Sequence, residues 1–304
     1  MTYQILQGDC LETLKTLPEC SVQTCVTSPP YYGLRDYGND AQIGLEQSPE
    51  EYISKLVEVF REVSRVLKDD GTLWLNLGDS YFSDTKGTGG PTAKQKSNSG
   101  SFYKPIHLER HGLKPKDLMM IPARVALALQ ADGWWLRSEI IWHKPNPMPE
   151  SVTDRPTKSH EMIYLLAKSA RYFYDAEAIK EPSKDPIDDR GARAAEEHKR
   201  FPTEKVNGIR SSGVYPTRNK RDVWVVTTKP YKEAHFATFP PDLIEPCILA
   251  GSKIGDTVLD PFAGSGTTLA VSIKHGRSGI GCELNPEYIS LIEKRLSEVQ
   301  PLMI

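Results

Sequence analysis

The stretch Val258-Leu259-Asp260-Pro261-Phe262-Ala263-Gly264-Ser265-Gly266-Thr267-Thr268 narrows the choice of fold more than any other part of the chain. An apolar run ends in an acid, a glycine turn follows, and Leu269 to His275 carries apolar residues at helical spacing. Ser278 to Cys282 then reads as a second strand, closing on Glu283. Strand, glycine turn, helix and strand make up the nucleoside-binding half of a doubly wound sheet. The closing acid can accept two hydrogen bonds from ribose hydroxyls, and the glycines let the backbone approach a ligand. The pattern departs from the dinucleotide fingerprint, because Leu269 stands at the third glycine position and no Lys marks a phosphate loop. A ligand containing adenosine but no pyrophosphate fits best.

The same alternation runs through the first half. Tyr3 to Leu6 reads as a strand that delivers Asp9 to its carboxyl end, and Leu11, Leu14 and Leu17 follow at helical spacing. Ser48-Pro49-Glu50-Glu51 opens a helix with Ser48 as N-cap and Pro49 at the first helical position. Tyr52, Ile53, Leu56, Val57, Phe60, Val63 and Leu67 recur at helix period, and Gly71 stops it. Thr72 to Leu77 is the next strand and Ile121 to Ala131 the next helix. Strand and helix in alternation imply a parallel sheet. Trp134 to Trp142 and Glu161 to Leu166 read as an antiparallel pair at its edge. The expected fold is therefore α/β, a doubly wound and mostly parallel sheet of seven strands.

Charge matters because it is uneven. The 304 residues carry a formal net charge of −2, so attraction to a polyanion must come from local patches. Two stretches provide them. Between Ser83 and Lys116, Lys86, Lys94, Lys96, Lys104, Arg110, Lys114 and Lys116 face Asp84 and Glu109 in a Gly/Ser-rich context expected to form a mobile loop. From Arg190 to Lys232 eleven basic residues, Arg218, Lys220 and Arg221 among them, face Glu196, Glu197, Glu204 and Asp222. Single runs of this kind are usually solvated surface; two in an acidic chain point to a nucleic-acid face. No segment approaches the ~20 apolar residues of a membrane helix, and no basic or apolar leader precedes the first strand, so a cytoplasmic protein is expected. The five cysteines (Cys10, Cys20, Cys25, Cys247, Cys282) lack C-x-x-C spacing and are expected to be buried, unreactive thiols without a metal.

The remaining constellation is Val26-Thr27-Ser28-Pro29-Pro30-Tyr31-Tyr32, delivered by the strand-like run from Val22. Proline restricts its predecessor to extended geometry, and neither Pro29 nor Pro30 has an N–H, which leaves their carbonyls as free acceptors. An exocyclic base amine offers two donors and a π face, matched by the Ser28 hydroxyl, the Pro29 carbonyl and the Tyr31 ring. Alone, these residues fit a polyproline ligand equally well.

Taken together, Thr27-Ser28-Pro29-Pro30-Tyr31 and Asp260-Pro261-Phe262-Ala263-Gly264-Ser265-Gly266 resemble the DNA amino-methyltransferases of bacterial and phage restriction–modification systems. The order of the motifs is similar to that of the beta class. Gly8-Asp9 and His235-Phe236-Ala237-Thr238-Phe239-Pro240 also match, so the likeness covers nearly all of the chain outside the basic stretches. It implies the S-adenosylmethionine-dependent methyltransferase fold and S-adenosyl-L-methionine as methyl donor. Phe262, Gly264 and Gly266 resemble the cofactor loop and Glu283 the ribose acid. Asp260 would lie near the methionine amino group, Phe239 would line the methionine pocket and Asp9 would help hold the adenine. Ser28, Pro29, Pro30 and Tyr31 would form the catalytic site, with Tyr31 stacking on a flipped-out base.

The resemblance also implies an organisation: residues 1–82 and 118–175 as the catalytic half, 83–117 as the basic loop, 176–230 as a target-recognition insert and 231–304 as the cofactor half. Duplex DNA is the implied partner, bound in part through Arg218, Lys220 and Arg221; a cognate restriction endonuclease and a second copy of the chain are further candidates. Pro-Cys occurs only at Pro246-Cys247 inside an apolar helix, so carbon methylation through a cysteine is disfavoured. Ser28 stands where adenine enzymes of the family carry Asp or Asn, and the expected product is N4-methylated cytosine. The same reaction at adenine N6 is the alternative, and a protein glutamine amide methyltransferase a more distant one.

Overall fold

A computed structural model describes residues 2–34, 42–83, 85–86, 106–107, 112–183, 187–188, 213–228 and 239–302. Two compact units divide it, Met1–Tyr174 with Asp222–Ile304, and Asp175–Arg221.

The larger unit is built on one sheet. Its strands are β1 (Tyr3–Gln7), β2 (Val22–Thr27), β3 (Leu67–Leu77), β4 (Trp135–His143), β5 (His160–Ala167), β6 (Val223–Val225), β7 (Thr257–Asp260) and β8 (Ser278–Glu283). Their spatial order is β1-β8-β7-β2-β3-β5-β4-β6. The first five in that order are mutually parallel, and β5 alone runs against its neighbours β3 and β4. Every residue of β2 is buried, as required of a strand covered on both faces. Helices α1 (Cys10–Lys15), α2 (Pro49–Val66) and α3 (Ile121–Ala131) pack side by side; α4 (Pro241–Gly251), α5 (Thr267–Lys274) and α6 (Pro286–Ser297) form a second group.

The sequence signals act through identifiable contacts. Ser48 Oγ accepts from Glu51 N at 3.1 Å, and Asn285 Oδ1 accepts from Glu287 N at 3.0 Å, so α2 and α6 both start at a side-chain cap followed by proline. Tyr52, Leu56, Val59, Phe60 and Val63 then form the buried stripe of α2. Leu269, at the would-be third glycine position, is fully buried against β8, where a Cβ on Gly279 or Gly281 would come within 3.2 Å of its side chain. The space for close helix–strand packing is thus provided by glycines of the strand.

Four expectations need correction. The sheet has eight strands instead of seven, and the antiparallel pair is not terminal: β6 adds to β4 in parallel register, Val223 opposite Ile141 and Val225 opposite His143. Helix α2 stops at Val66 and β3 begins at Leu67, because Val22 pairs with Leu67 and Ser21 N donates to Val66 O, which draws the chain into the sheet before Gly71. Four cysteines are buried thiols, but Cys20 is exposed, in a turn at φ 52°.

Candidate active site

Strands β7 and β2 are parallel neighbours at the centre of the sheet. From β7 the chain moves to β8 on one side, and from β2 to β3 on the other. This reversal makes their carboxyl ends the topological switch point, where open α/β sheets bind ligands. Thr27, the last residue of β2, donates from Oγ1 to Asp260 Oδ1, the last of β7, at 2.6 Å. Two motifs far apart in the sequence therefore open onto one crevice.

On the β7 side, Asp260 is fully enclosed. Besides Thr27, its carboxylate accepts from Phe262 N at 3.0 Å and from Thr268 Oγ1 at 2.7 Å. Burial pushes its pKa up to about 6 against the lowering effect of these donors. Both oxygens are thus turned into the protein, and Asp260 ties the glycine turn to β2 and α5. Gly264 and Gly266 take left-handed backbone, φ 51° and 74°, a region that glycine enters without penalty. Next to Gly264 an added Cβ would meet only Phe262 O, at 3.9 Å, so the turn leaves open room there.

Glu283 closes β8 beside this turn. Its Oε2 accepts from Gly264 N and its Oε1 from Asn285 N, both at 2.8 Å. Burial pushes its pKa up to about 7, and no cation pairs with it among the described residues. Each oxygen keeps a free lone pair, so the carboxylate can receive two hydroxyls of a vicinal diol. Gly8 N donates to Glu283 O at 2.9 Å, which brings the turn after β1 alongside. Asp9 caps α1 there, its Oδ1 accepting from Leu11 N at 2.8 Å and from Glu12 N at 3.3 Å. Phe239 lies partly buried just before α4; residues 235–238 of its expected segment fall outside the described residues.

On the β2 side, Ser28-Pro29-Pro30-Tyr31 is held from three directions. Tyr52 of α2 donates its hydroxyl to Pro30 O at 2.8 Å, and its ring lies 5.4 Å from that of Tyr32. The Pro30 carbonyl is therefore not the free acceptor expected from its sequence; a buried tyrosine on the crossover helix claims it. Tyr31 packs edge-on to Gly78, after β3, where a Cβ would stand 2.5 Å from the Tyr31 ring. The Tyr31 hydroxyl donates to Glu161 Oε2 at 2.7 Å, while Asn76 Nδ2 reaches the same oxygen at 3.3 Å and Lys144 pairs with Glu161 Oε1. The sequence had offered Asn76, Lys144 and Glu161 only as members of strands or their flanks. The available sign was a Glu heading an otherwise apolar strand.

Of the predicted basic residues, Arg218, Lys220 and Arg221 belong to the smaller unit. Arg218 Nε and Arg221 Nε both donate to Glu181 Oε1, at 2.8 and 2.6 Å, and Lys220 lies between them in the chain. Most of the 83–117 loop and of the 190–232 stretch falls outside the described residues.

A doubly wound sheet with a glycine turn, a buried acid and a Ser-Pro-Pro-Tyr segment at its switch point has the architecture of a methyltransferase that uses a nucleoside cofactor. The chain belongs to the DNA methylase family, whose profile matches residues 22–294. It is 49% identical over 292 residues to the Type II methyltransferase M.Cfr9I of Citrobacter freundii, covering 96% of this chain and 87% of that protein. With M.SmaI of Serratia marcescens it shares 47% over 293 residues, 96% and 90% of the two chains. Among solved structures, the PvuII DNA methyltransferase (cytosine-N4-specific) superposes with a TM-score of 0.64 at 19% identity, covering 97% of this chain and 86% of that one, a likeness of fold alone. A DNA modification methylase of Thermus thermophilus, solved with S-adenosyl-L-methionine, gives a TM-score of 0.59 at 25% identity over 98% and 95%.

Proposed function

We propose that this DNA methyltransferase transfers the methyl group of S-adenosyl-L-methionine to the exocyclic N4 of a cytosine flipped out of duplex DNA. The observation that carries the reading is the Thr27–Asp260 hydrogen bond, which sets the amine-accepting segment and the glycine turn at the ends of adjacent strands. The residues suit the cofactor. Glu283 has two uncommitted lone pairs for the ribose hydroxyls, the turn at Gly264 leaves room for a close ligand, and Asp9 stands at the same edge for the adenine. The bound cofactor supplies an electrophilic methyl group. Asp260 then acts as the brace of the turn, since its own oxygens are filled, and Phe262 and Phe239 flank the ligand.

The chain's part in the chemistry is positioning. An exocyclic amine shares its lone pair with the ring; acceptors on its two hydrogens pull the nitrogen towards a tetrahedral, nucleophilic form. Ser28 Oγ and Pro29 O are those acceptors, and in-line geometry makes an enzyme nucleophile unnecessary. The amine is inaccessible within the duplex, which requires base flipping. Arg218, Lys220 and Arg221 contact phosphates. The choice of cytosine rests on the neutral Ser28 in place of a carboxylate or amide. Single-molecule sequencing with modification detection, on DNA from cells expressing the protein, should show one methylated sequence motif with the mark on cytosine. Unmodified DNA would refute the reading, and a mark on adenine would refute the choice of base.

A further inference from the structure

A part-buried chain of polar groups runs from the amine-accepting segment to the start of β5 and the end of β4. Ser28 Oγ lies 3.5 Å from the Tyr31 hydroxyl, with Ser28 as donor. Tyr31 has one proton to give, and the shorter of its two contacts, 2.7 Å to Glu161 Oε2 against 3.2 Å to Asn76 Oδ1, directs it to the carboxylate. Asn76 fixes that carboxylate by donating to it and to Met162 O at 3.1 Å. Lys144, itself over the face of Trp142, pairs with the other oxygen. Burial and the neighbouring Glu161 charge hold the Tyr31 phenol well above its ordinary range, so it stays a hydroxyl. A carboxylate that served only to pair with Lys144 would not need a tyrosine hydroxyl aimed at it from the catalytic segment.

Building on the proposed reaction, we infer that Glu161 is a positioning residue of the target-base site and the final acceptor of the proton that the base amine must lose. As the carbon–nitrogen bond forms, the methyl–sulfur bond breaks and its electron pair stays on sulfur. The amine proton passes to Ser28 Oγ, the Ser28 proton to Tyr31 Oη, and the Tyr31 proton to Glu161 Oε2. The sulfonium charge and the carboxylate charge disappear together, and the methylated base leaves neutral. The 3.5 Å step is longer than an ordinary hydroxyl hydrogen bond, and catalytic contacts of this kind tighten when substrate is bound.

Two readouts test this. Without cofactor, fluorescence anisotropy compares a duplex bearing the target cytosine with one bearing pyrimidin-2-one, the same ring without its amine. The wild type should prefer the cytosine duplex by about fivefold, the worth of one neutral hydrogen bond. Glu161→Gln and Tyr31→Phe should each lose that preference, and the double variant should lose nothing more. In single-turnover methylation each variant should be slowed by about 10²-fold and should lose the solvent deuterium isotope effect of the wild type. Tyr31→Phe keeps the ring on Gly78, so it remains informative if Glu161→Gln does not fold. Wild-type rate and amine preference in Tyr31→Phe would overturn the relay and leave the methyltransferase reading standing. A wild-type protein that methylates no DNA would overturn both.

Discussion

The two acids of the cofactor half place an opposing demand on the fold. Asp260 and Glu283 are buried with no cation paired to them among the described residues, and burial pushes their pKa values up to about 6 and about 7. In the unfolded chain both ionise near pH ~4. Between about pH 4 and 7 the native state therefore holds more protons than the unfolded state, and stability falls as pH rises, by about 3 kcal/mol for each group once both are ionised. Chemical denaturation of the cofactor-free protein at about pH 5 and about pH 8 should show it as the less stable at the higher pH. Ligand hydroxyls donated to Glu283 favour its charged form, so cofactor binding should release a proton and tighten as pH rises through about 7. Calorimetry in buffers of different ionisation enthalpy measures that release, and Glu283→Gln should abolish it while weakening binding by about 1.5–3 kcal/mol. Asp260→Ala acts differently. It strands the hydroxyl of Thr27 and the N–H of Phe262 and leaves Thr268 only its longer bond to Val26 O, so a loss of about 1–3 kcal/mol in folding stability is expected alongside any loss of affinity.

At the scale of elements, the α5–β8 contact shows how size is distributed across an interface. A Cβ on Gly281 would lie 2.9 Å from Ala263 Cβ and 3.0 Å from Leu269 Cδ1, so Gly281→Ala overpacks the joint and should cost about 1–3 kcal/mol. Leu269→Ala should cost about 2–5 kcal/mol through the cavity it leaves. Because the two share one space, the double variant measured by thermal unfolding should lose less than the two single losses combined. Helices α2 and α6 were legible in the sequence because a cap, a proline and 3.6-residue periodicity agreed there, and α3 because its helical run ends at Asp132-Gly133. The start of β3 was not. Leu67 continues the apolar period of α2, and only its pairing with Val22, a contact between residues far apart in the chain, assigns it to the sheet. The short strand β6 escaped notice for a similar reason: Val223–Val225 is three residues long and gains its place from β4.

For the molecule as a whole, the order of the sheet joins the two ends of the sequence at one crevice. The motifs at Ser28 and at Gly264 were legible because each carries residues with unusual backbone requirements. The supporting network of Asn76, Lys144 and Glu161 was not, since a polar residue in a strand shows its partner only in three dimensions. The two basic stretches were legible as composition only, and the structure adds that Arg218 and Arg221 share Glu181. Duplex affinity should fall steeply with salt, and replacing Arg218, Lys220 and Arg221 by alanine should flatten the slope of log affinity against log salt; an unchanged slope would move the phosphate contacts elsewhere. The central claim, amine methylation at the Ser28 segment, is tested most directly by mass spectrometry of nucleosides. Duplex DNA is incubated with the protein and S-adenosyl-L-methionine, then digested completely. N4-methyldeoxycytidine should appear, and Ser28→Ala should form it about 10²-fold or more slowly; 5-methyldeoxycytidine, or no methylated nucleoside at all, would contradict the account.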